Sequence, residues 1–481
     1  MKIYIIGGGS SGWMTATTLL TKFPEANITV VESPDTPPVG VGESTTQYFR
    51  IWAEYVGLKD EEWMPACDAT YKISVRFSNF NKVGDTPWQY PFGYYIQDLP
   101  QPDVYFWNAY KNNWSNDKFA REYFVSAEAA ENNLLPIKHP NFNLKKNTGF
   151  HFDAVKFANW IRDNYAIPRG VKHIIETVDK SILNEDYDLF FDCTGWKSML
   201  NDSEWIDYDY LPNDRAWVTR KKYTTHIEKE MVPVTDCTAL SSGWVWRVPT
   251  WSRVGTGYNF SSKYQTEKEA LHEFARHIKT DIDDGFRMIS YKTGRKKEIW
   301  NGNVISMGLS AGFIEPLESN GLLSVHQNLL FFVKTMGDRE NVTQYMRDTF
   351  NLEAGDGFDT FSSFVALHYS LTQRNDSPYW RAVSNIKYPQ IGLLERCQRL
   401  FMAPSTSYVD GITFGQLDGL LAVMAGHGWN PFDNVSMNEI EFHGGVPRDA
   451  PANNIDIPDW DWYLDSLPTP YEYYKRTIYE S

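Results

Sequence analysis

Ile3-Tyr4-Ile5-Ile6-Gly7-Gly8-Gly9-Ser10-Ser11-Gly12 is the stretch on which the fold turns. The run Ile3 to Ile6 predicts a short buried strand, and the apolar stretch that continues through Leu20 predicts a helix. Between them, Gly7-x-Gly9-x-x-Gly12 has the spacing of a dinucleotide-binding turn. The first glycine of such a turn permits the tight bend, the second lets the backbone approach a pyrophosphate, and the third lets helix and strand pack closely. Gly8, Ser10 and Ser11 complete the turn, and the helix N-terminus then faces the anion. A second buried strand, Ile28 to Val31, ends at Glu32. That acid lies about twenty residues beyond the turn, where a carboxylate accepts hydrogen bonds from ribose hydroxyls. Strand, helix, strand and acid together point to a dinucleotide site.

Only one complete fingerprint is present. The later strand-to-glycine turns at Cys193-Thr194-Gly195 and Gly308-Leu309-Ser310 read as further contacts to one long cofactor, which favours FAD. No second fingerprint offers a nicotinamide site, so reducing equivalents are expected from a separate protein.

Outward from this turn, residues 39–46 form a Gly-rich loop, and Lys72 to Phe77 alternates like a strand. The stretch 84–150, rich in Pro, Asn and aromatics, predicts long loops over a pocket. Asp153 caps a helix carrying Ala154, Phe157, Ala158 and Ile161. Tyr187 to Asp192 is a further buried strand, and strands return at 215–260. Thr266 and Glu269 make a capping box for a helix with Leu271, Phe274 and Ile278. Val304 to Met307 predicts a strand and Ser319 to Met336 a helix. Helical patterns recur after 360, and the last thirty residues read as a packed tail.

The chain has 481 residues, 42% hydrophobic and 22% charged, the composition of an ordinary globular protein large enough for two intertwined parts. Its net charge of −15 argues against nucleic acid or an anionic membrane surface as a partner. No apolar run is long enough to span a bilayer. The four cysteines, Cys67, Cys193, Cys237 and Cys397, are too far apart for a CxxC site or a disulfide framework, and no metal site is expected. A reducing, cytoplasmic location follows, and a strand that begins at once leaves no room for a signal peptide. Aromatics reach 15%, enough to fill a core and also wall a pocket for a flat ligand.

Several further motifs, taken jointly, resemble the flavin-dependent halogenases of the tryptophan halogenase type. They are Gly7 through Trp13, Val39-Gly40-Val41-Gly42-Glu43-Ser44-Thr45, Trp63-Met64-Pro65 leading into Ala69-Thr70-Tyr71-Lys72, and Trp244-Val245-Trp246-Arg247-Val248-Pro249. Phe313-Ile314-Glu315-Pro316-Leu317-Glu318-Ser319-Asn320-Gly321 and the stretch from His368-Tyr369 to Pro378-Tyr379-Trp380 are also similar. The resemblance runs from residue 1 to about 380. It implies an α/β fold: a FAD-binding, Rossmann-like domain of the flavin monooxygenase type with a mixed sheet, and an intertwined, mainly helical substrate-binding region. The expected division is a core at 1–340, with substrate-covering segments inserted at about 84–150, and a helical region at 341–481 packed on it.

The resemblance also implies the chemistry. Reduced FAD takes up O2 to give a flavin hydroperoxide, a halide is oxidised to hypohalous acid, and that oxidant travels to a separate pocket where a lysine directs it at an electron-rich ring. Lys72 is the expected directing amine and Glu318 the base or cation stabiliser. Asn320 and Gly321 are the expected halide site, with Asn320 standing where the family usually has Thr. Flavin contacts are expected from Gly7, Gly8, Gly9, Ser10, Ser11, Gly12, Glu32, Ser33, Val39, Val41, Ser44, Val178, Leu309 and Leu322. Trp244 and Trp246 are associated in the family with keeping substrate from the flavin, and are equally readable as strand core.

Tyr90 and Phe92 are expected to sandwich the substrate ring. Beyond residue 400 nothing matches the box with which tryptophan halogenases grip an amino acid: the region reads Thr406-Ser407-Tyr408-Val409-Asp410-Gly411. Another indole, a phenol or a range of small aromatics is therefore expected in place of free tryptophan. The expected partners are that small aromatic and a flavin reductase, with homo-oligomer formation left open. Two other readings compete: a flavin monooxygenase that hydroxylates the ring, and a flavin-binding protein without catalysis.

Overall fold

The computed structural model describes residues 1–35, 42–94, 114–339, 341–386, 414–429 and 461–480. Val39, Val41, Cys397 and the stretch 406–411 lie outside the described residues.

The opening strand, Lys2–Ile6, is the centre of a six-stranded sheet. Asn27–Glu32 and then Lys172–Ile175 lie on one side of it, and Leu189–Asp192, Val304–Ser306 and Trp300–Asn301 on the other. The first five strands in this row are parallel, and only Trp300–Asn301 runs against its neighbour. Strand order therefore reverses at the opening strand, and the crevice at its carboxyl end, where Gly7 begins, is where such a sheet receives a ligand. Helices Ser10–Lys22 and Leu323–Met336 pack on this sheet and on each other, burying Trp13, Leu19, Leu329 and Phe332.

A seven-stranded sheet forms the second layer. Its order is Arg287–Ser290, Arg215–Lys222, Arg253–Phe260, Gly243–Pro249, Val234–Ala239, Ser74–Ser78 and Trp88–Pro91. All pairs are antiparallel except Val234–Ala239 with Ser74–Ser78. The expected strand at 72–77 is in fact two, because the chain changes sheets at Ile73. Thr70–Lys72 pairs with Gly149–Phe152 in a three-stranded sheet that also holds Glu43–Ser44, and Ser74–Ser78 joins the large sheet. Lys72 sits at this corner, covered by both sheets.

Other expectations need correcting. Within 84–150, the described residues are not all loop: they include an edge strand and the helices Lys118–Tyr123 and Val125–Glu131, whose Phe119, Ala120, Tyr123, Ala127 and Ala130 are buried. The helix expected from Ser319 begins at Leu323, because Ser319 itself takes a left-handed backbone, φ 58°, after a short turn at Pro316–Glu318. Helix Gln344–Ser370 is a single rod of 27 residues that starts well before 360. The predicted caps are present. Asp153 Oδ1 accepts from Val155 and Lys156 N–H, and Thr266 with Glu269 closes a capping box. The tail is packed through Tyr474, whose hydroxyl accepts from Tyr71 N–H at 2.8 Å and donates to Tyr71 O at 3.3 Å. Among the described residues no helix is long and apolar enough to cross a membrane.

Candidate active site

At the dinucleotide turn, close approach demands glycine. A Cβ on Gly12 would lie 1.8 Å from the carbonyl oxygen of Gly7, so helix and turn touch as the motif requires. Gly9 faces open space, where a pyrophosphate has room. Ser11 Oγ is buried without a partner, and Ser10 Oγ donates to Ala154 O. Glu32 ends its strand with its carboxylate over Gly8 and His173 Nε2 at 3.4 Å. An open backbone cradle, an orphaned hydroxyl and an acid at the strand end fit the adenosine diphosphate half of FAD. Leu309, Asn320 and Gly321 line one open cleft with Phe313, Ile314 and Phe358, which brings an expected flavin contact together with both expected halide residues.

Other expected flavin contacts lie elsewhere. Ser33 bonds Thr177, Leu322 is buried just before the helix, and Val178 packs against a cluster of Tyr4, Ile6, Val31 and Phe190. Ser44 is tied inward: its hydroxyl lies 2.8 Å from Thr235 Oγ1 and donates to Ser319 Oγ at 2.9 Å.

Lys72 is completely buried. Its Nζ donates to Ser319 Oγ at 2.6 Å and lies 5.1 Å from the centre of the Phe92 ring. Burial drives its pKa down from 10.5 to about 7, with Glu318 opposing part of the shift. An ordinary lysine is charged throughout this range; here amine and ammonium are of comparable population at neutral pH.

Glu318 is also buried. Its Oε1 lies 2.7 Å from His368 Nε2, and its Oε2 has no partner. His368 Nδ1 is 3.0 Å from Phe364 O. A carbonyl oxygen only accepts, so Nδ1 is the donor in that contact and Nε2 is the nitrogen turned to Glu318. The free Oε2 is the atom left to act on a ligand.

The left-handed turn at Ser319 divides this loop. Glu318 and Ser319 face Lys72, whereas Asn320 and Gly321 face the cleft. Asn320 turns its amide inward to Ile314 O at 3.3 Å. The Asn320 side chain is thus held by the loop itself.

Tyr90 and Phe92 stand at 86° with centroids 6.0 Å apart. They form an edge-to-face corner and not the two parallel plates of a sandwich, because Phe92 turns under Lys72 while Tyr90 abuts Gly419. Trp244 is core, with Nε1 donating to Glu315 Oε2, and Trp246 is half-buried beside it.

The sequence alone does not single out three further buried residues of this region. His368 was part of a matched motif, but its contact with Glu318 spans 50 residues and carries no local signal. Ser319 bridges Lys72 and Ser44. Glu315 is a second buried acid whose Oε2 accepts from Asn213, Tyr369 and Trp244; burial raises its pKa while these donors oppose the shift.

Comparison with known proteins gives the same direction. The model of the tryptophan halogenase family matches residues 2–437. Tryptophan 6-halogenase SttH of Streptomyces toxytricini is 30% identical, over 98% of this chain and 97% of its own. Tryptophan 7-halogenase RebH of Lentzea aerocolonigenes is 30% identical over 80% and 79%. Among solved structures, VirX1 in its apo form superposes with a TM-score of 0.85 at 34% identity, covering 100% of this chain and 99% of its own. The crystal structure of SttH gives 0.79 at 28%, covering 98% and 99%. The chain belongs to the tryptophan halogenase family: it is a flavin-dependent halogenase that uses reduced FAD, O2 and a halide to halogenate a small aromatic molecule.

Proposed function

We propose that Lys72 and Glu318 work on the substrate ring in a chamber apart from the flavin, and that the substrate is an indole or phenol other than free tryptophan. The observation that carries this reading is the buried corner in which a poised amine and an acid with one free oxygen lie on one side of the Ser319 turn, while the cleft lies on the other. The Gly7–Gly12 turn and the cleft lined by Leu309 would hold reduced flavin, which would supply hypohalous acid from O2 and the halide. The backbone of Asn320 and Gly321 holds the halide. Lys72, oriented by Ser319, receives the oxidant by hydrogen bond, or in its neutral form as a haloamine with loss of water. Glu318 Oε2 stabilises the ring cation and takes the ring proton, with His368 fixing the carboxyl group. Exclusion of water keeps the oxidant from being lost on the way.

The remaining assignments belong to the same reading. A separate reductase supplies the reduced flavin, the enzyme works in the cytoplasm, and helix Gln344–Ser370 brings His368 to the chamber.

The test supplies reduced FAD, O2 and bromide with a panel of indoles and phenols, read by mass spectrometry. Lys72→Ala is expected to abolish the brominated product while FAD binding is unchanged. A hydroxylated product alone would favour the monooxygenase reading, and full bromination by Lys72→Ala would remove the amine from the mechanism.

A further inference from the structure

Helix Phe414–Gly426 packs against the edge strand Trp88–Pro91 and runs into Gly426-His427-Gly428. A Cβ on Gly426 would fall 2.1 Å from Trp88, and Gly428 takes a left-handed φ of +60°. The backbone is thus pressed onto the Trp88 ring and turned away immediately afterwards, which holds the His427 side chain inside. Its ring is fully buried, 5.2 Å from Trp88 and 6.3 Å from His368, to which it stands at 83°.

Neither ring nitrogen of His427 has a hydrogen-bond partner. The neighbouring His368 is satisfied at both nitrogens, whereas Glu318 Oε2 beyond it is unpartnered. Burial, and then the nearby His368, push the pKa of His427 well below the usual imidazole range, so the ring is neutral and offers one donor and one acceptor. A buried polar atom left unmatched costs roughly 1–3 kcal/mol, and here two lie on one ring. The side chains packed around it are largely aromatic: Trp88 stacks on Phe77 at 4.3 Å, and Phe364 packs on His368 at 5.3 Å. Such a wall suits an aromatic ring better than a lone water, which needs several polar partners.

We infer that His427 anchors the aromatic substrate by a hydrogen bond to an N–H or O–H group carried on the ring itself, as in an indole or a phenol. This rests on the proposed chamber at Lys72 and Glu318 and supplies its specificity. The heteroatom that makes the ring electron-rich is the one bonded, so its anchoring fixes which carbon is turned toward Glu318.

The test compares indole with 1-methylindole and phenol with anisole. Each pair shares a ring, but the second member has lost the N–H or O–H. Affinity is measured by calorimetry on the flavin-free protein, and kcat/KM by bromination. Wild type is expected to favour the first member of at least one pair by about tenfold, the equivalent of one good hydrogen bond. His427→Phe is expected to erase that preference by weakening the first member alone, and His427→Asn, which keeps a donor and an acceptor, to retain part of it. Equal affinities in wild type, failure of all four compounds to bind, or an equal loss for both members in His427→Phe would each overturn the anchor. Preferential binding without bromination would leave the anchor standing and sink the proposed function; bromination without preference would do the reverse.

Discussion

Replacing Lys72 by methionine should make this enzyme more stable as it makes it inactive. The lysine pKa falls from 10.5 to about 7 on burial, so folding expels a proton that the unfolded chain would keep. A base depressed in the folded state penalises folding fully below its folded pKa, and the penalty vanishes as pH rises through the unfolded value. With these two values the penalty is about 4 kcal/mol at pH 7 and about 2 kcal/mol at pH 9. Methionine has a similar length, carries no charge and can lie against the Phe92 ring, which is 5.1 Å from the amine. Loss of the bond to Ser319 offsets about 1 kcal/mol of the gain. Lys72→Met should therefore be more stable than wild type by about 3 kcal/mol at pH 7, shrinking to about 1 kcal/mol at pH 9. Urea unfolding of flavin-free protein at both pH values measures this. A variant that is no more stable at pH 7, or whose advantage does not change with pH, would refute the claim that the folded protein holds this amine at a cost.

Glu318→Gln should bind FAD normally yet lose about two to four orders of magnitude in the bromination step, the usual worth of a positioned base, read by single-turnover kinetics with premixed oxidant. Gly12→Ala places a methyl 1.8 Å from Gly7 O and should abolish FAD retention, with destabilisation above about 2 kcal/mol, measured by flavin fluorescence and thermal unfolding. Tyr474→Phe leaves the Tyr71 N–H buried without its acceptor and should cost about 1–3 kcal/mol, visible as a lower Tm without any change in FAD affinity.

What could be read in the sequence was what local chemistry specifies. Gly7, Gly9 and Gly12 are needed by contacts within a few residues, and Asp153, Thr266 and Glu269 cap helices by bonds that span two or three positions. The family motifs led to Lys72 and Glu318. The burial of Lys72 was not legible, because it comes from a corner between two sheets whose strands are far apart in the chain; on an alternating strand the same lysine reads as solvated. The start of the helix after Gly321 was misjudged because nothing in Ser319 announces a left-handed backbone. Helix Gln344–Ser370 was half hidden by Gly355 and Gly357, which read as breakers, and by Asp359, whose polarity is answered by Arg295 and Tyr208 from other elements. His368 and His427 acquire their meaning only from Glu318 and Trp88.

The bond between Tyr71 and Tyr474 has a consequence for how the protein is born. The strand that carries Lys72 obtains its outer hydrogen-bond partner from a tyrosine 403 positions further along the chain. At roughly 5–20 residues per second, the ribosome reaches that tyrosine some 20–80 seconds after making the lysine. During that interval the strand that carries Lys72 stands without the Tyr474 bond to its Tyr71 N–H. Vectorial translation thus orders assembly: the nucleotide turn is made long before the tyrosine that completes the strand of Lys72.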